Sequence, residues 1–138
     1  MSHNKSSEQQ SSAQQSSEKH SSEKHFSEQH CLPCESGVRP MTRKQAEQAL
    51  AELNGGWELD AEAHSLQREF RFKGYNKTIG FVNALAWIAN EEGHHPDLEV
   101  SYDRCLVRWT THAIGGLSEN DFICAAKASL LTDRSPGL

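Results

Sequence analysis

The sequence predicts an α+β domain of order αββαββα, with a four-stranded antiparallel sheet covered by helices on one face. Three observations predict it. Two hairpin patterns, at about residues 57–72 and 98–109, alternate apolar and polar positions. A long apolar stripe at helical spacing lies between them. Capped helical segments stand before the first hairpin and after the second. Two hairpins separated by a helix make an antiparallel sheet, and the sequential helices then share one of its faces.

Each element has its own signal. Thr42 to Leu53 reads as a helix: Thr42 and Gln45 form a capping-box pattern after Pro40, and Asn54-Gly55-Gly56 stops it. Trp57 to Asp60 is a short strand. Leu66, Arg68, Phe70 and Phe72 alternate with more polar residues, so the two segments pair across Asp60-Ala61-Glu62-Ala63. Asn76 to Glu92 is the longest helix, with Ile79, Val82, Leu85, Ala86 and Ala89 at helical spacing and Gly93 closing it. Leu98, Val100 and Tyr102 form a third strand, and Cys105, Val107 and Trp109 a fourth, with Asp103-Arg104 turning between them. Ser118 and Asp121 repeat the capping-box pattern, Leu117 and Phe122 fit a hydrophobic staple, and the last helix runs to about Leu131. Such a sheet leaves one face, and part of the second helix, for self-association.

Composition divides the 138 residues unevenly. Residues 1–30 hold ten Ser, five Gln, four Glu, four His and three Lys, with only Met1, Ala13 and Phe26 apolar. From Ser6 they run in fives: SSEQQ, SSAQQ, SSEKH, SSEKH, FSEQH. A period of five fits neither helix nor strand, and so little apolar surface cannot offset the entropy of ordering it. The expected organisation is therefore a low-complexity tail over 1–30, a Cys-x-x-Cys leader over 31–41, a domain over 42–132 and a short tail over 133–138. One domain fits that length and two do not.

Charge and hydropathy exclude several classes. The formal charge is −5, with three Lys against four Glu in the tail and eleven basic against fifteen acidic residues beyond it. Neither part carries the positive field of a protein that grips nucleic acid by its backbone. No apolar run approaches the roughly 18–20 residues of a membrane span. The amino-terminal stretch lacks the apolar core of a secretory signal and the arginines of a transit peptide. A soluble cytosolic protein is expected, with its four Cys as thiols or metal ligands rather than disulfides.

Two constellations carry chemistry. Cys31 and Cys34 can ligate zinc or cycle redox equivalents, and His30 offers a third ligand. Neither use is complete: no second Cys-x-x-Cys exists, and no strand precedes the pair. A structural or incidental use is the bland alternative, as a solvated repeat is for the His at 20, 25 and 30. The second constellation is His94-His95-Pro96 with His112. Gly93 releases the two adjacent His into a loop, Pro96 holds His95 extended, and His112 stands where the fourth strand enters the Ile114-Gly115-Gly116 loop. Imidazole titrates near neutrality, so several His around one pocket can donate one proton and accept another. Three His also suit zinc, and loop His on a polar surface need no function at all. Asp121 is explained by helix capping alone.

Taken together, these residues resemble a family. Glu92-Gly93-His94-His95-Pro96, Tyr102, Thr111-His112, Gly116-Leu117-Ser118 and Asp121, with Gly56-Trp57, Phe70 to Asn76 and Gly80-Phe81 before them, are similar to pterin-4a-carbinolamine dehydratase. The likeness spans about residues 40–131, and the Cys31/Cys34 leader resembles the start of some bacterial members. It implies the αββαββα fold, a dimer or tetramer, and dehydration of 4a-hydroxytetrahydropterin to the quinonoid dihydropterin without metal or other cofactor. It implies His94 and His112 as the acid/base pair and His95 as a pterin-orienting residue. Asp121 is expected to orient a His or touch the pterin, Asn90 to orient a partner by hydrogen bond, and Pro96 and Trp57 to lie near the pocket, with core packing the equal alternative for Trp57. Four residues before the first His the family usually has a carboxylate. Here that position is Asn90, and Glu91 and Glu92 are expected to point elsewhere around the helix. The family also includes a coactivator and assembly chaperones, so a non-catalytic binding role is the alternative.

Overall fold

The computed structural model describes residues 26–33 and 37–133. Helix α1 spans Arg43–Leu50 and starts where the sequence places it. The Thr42 hydroxyl accepts from the Gln45 N–H at 3.2 Å, and the Gln45 side chain accepts from the Thr42 N–H at 2.9 Å. Ala46 and Ala49 are its buried face. The helix ends at Leu50, and residues 51–53 continue as a turn. Strand β1, Glu58–Leu59, pairs with β2, Leu66–Arg71, through Glu58↔Gln67 and Leu59↔Leu66. Their connection is tied by the Asp60 carboxylate, which accepts from the His64 N–H at 2.6 Å and the Ser65 N–H at 3.1 Å.

Helix α2 covers Tyr75–Glu92 and ends at Gly93, whose φ of 63° is the left-handed cap that glycine adopts without a Cβ clash. The chain turns out of the helix there and enters β3, Asp97–Val100, then β4, Arg104–Trp109. Tyr102, assigned to the third strand on alternation, stands in the turn and is 69% exposed. After a short 3₁₀ turn, His112–Ile114, helix α3 runs through Glu119–Asp133. The sheet order is β1-β2-β4-β3, all antiparallel, so each predicted hairpin forms and β2 joins the two through β4.

Alternation decides the two faces of the sheet. Leu66 and Phe70 of β2 and Cys105, Val107 and Trp109 of β4 are buried under the helices, together with Phe81, Leu85 and Phe122. Full burial of each of these large side chains contributes about 1.5–3 kcal/mol. The opposite face is polar apart from Leu106: Arg104 meets Glu69 at 3.1 Å, and Arg108 lies 3.7 Å from Glu99. Gly116 is required by close approach, since a Cβ there would stand 2.7 Å from the Pro40 Cβ. That approach brings the segment before α1 against the loop before α3, where the Met41 N–H donates to the Leu117 carbonyl at 2.8 Å.

Residues 26–30 pack against the domain, so the boundary drawn at residue 30 falls inside a packed segment. Phe26, the one aromatic of the pentad repeat, is 5% exposed and its ring centroid lies 6.0 Å from that of Phe122. Residues 26–28 form a helical turn. Lys127 donates to the Ser27 carbonyl at 2.9 Å. The Asn120 side chain grips the Leu32 backbone at both ends, accepting from its N–H at 3.1 Å and donating to its carbonyl at 2.7 Å.

Candidate active site

A cleft of about 470 Å³ opens where four pieces of chain meet. Its walls are Cys31, Leu32 and Pro33 of the leader, Glu92 to His95 at the end of α2, Thr110 to Ala113 after β4, and Asn120 of α3. All three His singled out by sequence therefore line one cleft, although His112 is separated from the others by an entire hairpin.

His94 is the most constrained of the three. Its side chain is 13% exposed, and its Nε2 lies 2.6 Å from the Asp121 Oδ1. Its ring stacks on the fully buried Trp109, with centroids 5.6 Å apart and planes within 13°. Asp121 is itself fully buried, in the first turn of α3, where a helix N-terminus favours negative charge. Its Oδ2 accepts from the Ser118 N–H at 3.0 Å and from the Thr111 hydroxyl at 2.8 Å, and the Ser118 hydroxyl stands 2.8 Å from that of Thr111. A carboxylate only accepts, so it places the hydrogen of His94 on Nε2 and leaves Nδ1 as the basic nitrogen. Asp121 thus hydrogen-bonds both the Ser118 N–H at the start of α3 and the His94 ring.

His95 and His112 differ from His94 in being exposed at the rim. His112 opens the 3₁₀ turn that a Thr111↔Gly116 bridge closes at its base. Pro96 is half-buried and leads the chain into β3 without lining the cleft. Two expected site residues lie elsewhere. Trp57 belongs to the core, where its indole N–H donates to Ser129 Oγ at 2.8 Å and its ring meets Phe70 edge-on at 5.9 Å. Asn90 is exposed and does not line the cleft; its backbone carbonyl caps the helix by accepting from the Gly93 N–H.

The carboxylate that reaches the cleft is Glu92, against the expectation that it points away. Its side chain is 5% exposed. It accepts from the Cys31 N–H at 2.7 Å, meets His30 Nδ1 at 2.9 Å and lies 3.6 Å from Lys127 Nζ. Burial raises the pKa of this carboxyl, but the Cys31 N–H, His30 and Lys127 outweigh it and hold Glu92 below the ordinary glutamate value. Its partners are 35, 61 and 62 positions away, so nothing local in the sequence marks it; only its place directly before Gly93 hints at an end-of-helix role. Thr111 was likewise visible only as the neighbour of His112.

The metal reading finds no set of ligands here. Among the described residues no group of three or more His, Cys, Asp or Glu side chains is arranged to hold a metal ion. His30 is engaged with Glu92, Cys31 faces Cys124, and Cys34 lies outside the described residues. Among the described residues no helix is long and apolar enough to cross a membrane.

The protein is thus an α+β scaffold with three His around one cleft, one of them hydrogen-bonded to a buried Asp. Comparison with known proteins gives the family. The pattern of the family described as Pterin 4 alpha carbinolamine dehydratase matches residues 39–131, and the chain belongs to that family. A relative from Nitrosomonas eutropha, provisionally named pterin-4-alpha-carbinolamine dehydratase, is 54% identical over 101 residues, 73% of this chain and 88% of its own. One of the same provisional name from Stenotrophomonas maltophilia strain R551-3 is 60% identical over 96 residues, 67% of this chain and 83% of its own. Among solved structures, a transcriptional coactivator/pterin dehydratase from Brucella melitensis is 29% identical with a TM-score of 0.64, covering 67% of this chain and 98% of that one. A pterin dehydratase-like RuBisCO assembly factor of the alpha-carboxysome shares the fold at 23% identity and a TM-score of 0.50, covering 56% of this chain and 90% of that one.

Proposed function

We propose that the protein dehydrates 4a-hydroxytetrahydropterin to the quinonoid dihydropterin, the step that returns the pterin cofactor of aromatic amino-acid hydroxylases to use. The observation that carries this reading is the convergence of His94, His95 and His112 on one cleft, with His94 held by a fully buried Asp121. The reaction loses a hydroxyl from C4a and a proton from the ring nitrogen beside it. One imidazolium donates to the leaving hydroxyl, which departs as water, and one neutral imidazole accepts the nitrogen-bound proton. His94 and His112 form that pair, and His95 orients the pterin. Family membership supports the substrate class, and the presence of all three His favours catalysis over a purely non-catalytic binding or coactivator role.

The protein acts in the cytoplasm as a homodimer or homotetramer. Self-association is supported by large apolar side chains left on the surface, chiefly Trp87 at 67% exposure and the stacked pair Tyr75 and Tyr102. Stopped-flow absorbance of freshly generated 4a-hydroxytetrahydropterin tests the reading. The wild-type protein, free of added metal, accelerates loss of the hydroxypterin, and His112→Ala and His94→Ala each lower kcat by about 10²–10⁴. A folded wild-type protein that leaves the spontaneous rate unchanged overturns the enzymatic reading and favours the binding role.

A further inference from the structure

Cys31 and Cys124 stand 93 positions apart in sequence, yet their sulfurs are 3.5 Å apart. Cys124 is fully buried in α3, three residues after the Asp121 that holds His94. Cys31 is half-buried and lines the cleft, with its backbone N–H fixed by Glu92. Moving protons on a pterin gives neither thiol a task. Cys105, by contrast, sits alone in β4, and burial pushes its thiol up to about 11.

We propose that Cys31 and Cys124 are a peroxide-responsive thiol pair that forms a reversible disulfide, fastening the leader to α3 beside the cleft. The two-electron oxidant is hydrogen peroxide. The Cys31 thiolate attacks one peroxide oxygen, the O–O bond breaks, and the departing hydroxide is protonated to water, leaving Cys31 as a sulfenic acid. The Cys124 sulfur then attacks the Cys31 sulfur, the S–O bond breaks, and the hydroxyl leaves with the Cys124 proton as a second water. One peroxide is reduced to two waters, and two thiols are oxidised to one disulfide.

Exposure sets that order. Peroxide reaches Cys31 from the cleft, whereas Cys124 is sealed beneath it. The hydrogen bond with Cys31, burial, and then the carboxylates of Glu92 and Asp121 all favour the protonated form of Cys124, so it does not attack peroxide first. The sulfurs have to close from 3.5 Å to about 2.05 Å. A side-chain rotation of half-buried Cys31 supplies that movement.

Non-reducing peptide mapping tests the pair. The reduced full-length protein is freed of reductant, treated with equimolar hydrogen peroxide, blocked with N-ethylmaleimide and digested with trypsin. The expected product joins the peptide of residues 25–43, which holds Cys31 and Cys34, to that of residues 109–127, which holds Cys124 alone. The link forms in the wild type and in Cys34→Ser, is absent from Cys31→Ser, and is released by dithiothreitol. Three results overturn the proposal: an internal bond between Cys31 and Cys34 in place of the link, complete maleimide labelling after peroxide, or a link that forms between two chains and runs as a dimer on a non-reducing gel.

Discussion

The two sides of the cleft are built differently. On one side, His94 is set by a stack on Trp109 and by Asp121, both fully buried, with the sheet and α3 locking every partner. On the other, residues 31–33 lie along the surface and are held at a few points: Glu92 to Cys31, Asn120 to Leu32, and Phe26 anchored against Phe122 upstream. The first side has no freedom to lose. The second is a strap held to the domain by these few contacts. The side that carries His94 is thus the more tightly held, and the side formed by the leader the less.

Breaking the rigid side has the largest consequence. Asp121→Ala leaves the Thr111 hydroxyl, the Ser118 N–H and the His94 Nε2–H without their shared acceptor, a cost of about 3–5 kcal/mol in unfolding free energy by denaturant titration. Breaking the strap costs less. Phe26→Ala removes a side chain packed on Phe122 in the leader, which can shift to fill the space. A loss of about 2–3 kcal/mol is expected, read by the same titration. A loss as large as that of Asp121→Ala would mean that the strap is part of the framework.

The smallest effect comes from Glu92. Glu92→Gln keeps an acceptor for the Cys31 N–H and gives up the charge that Lys127 and His30 meet, for about 1–2 kcal/mol at neutral pH. His30 adds little to this, since its side chain is 81% exposed. The sign of the pH dependence follows from the lowered pKa. Glu92 ionises more readily folded than unfolded, so its contribution is complete above the ordinary glutamate value of about 4.5 and is lost as the pH falls through the lower, folded value. The groups facing it are His30, Lys127, Cys31 and Cys124. Wild type and Glu92→Gln converge in stability in acid. Curves that stay parallel from pH 7 down to pH 3 contradict this role.

The same contrast explains what the sequence shows and what it hides. Elements governed by local rules are legible: the Thr42/Gln45 box, the left-handed Gly93 and the alternation of Cys105, Val107 and Trp109 each set their element within a residue or two. The three His are legible as well, because Gly93, Pro96 and the strand end put them in loops, and the family resemblance joins them across the hairpin. The strap is not. Phe26 is a lone aromatic in an otherwise mostly polar repeat, and its partner is 96 residues away in sequence. Glu92 belongs to a helix face that periodicity alone directs away from the His, and only the arrival of Cys31 reveals its use. For Trp57 the sequence leaves pocket and core equally open, and Ser129 and Phe70 hold it in the core.

The central claim is that Asp121 acts through His94, as a positioning residue for proton transfer. Asp121→Asn keeps the shape and weakens the hydrogen bond that fixes the tautomer. Steady-state dehydration of 4a-hydroxytetrahydropterin by that variant, in protein whose circular dichroism matches the wild type, separates positioning from binding. The expected result is a kcat lowered by about 10²-fold or more with KM changed little. A wild-type kcat in the folded Asp121→Asn protein would contradict the account.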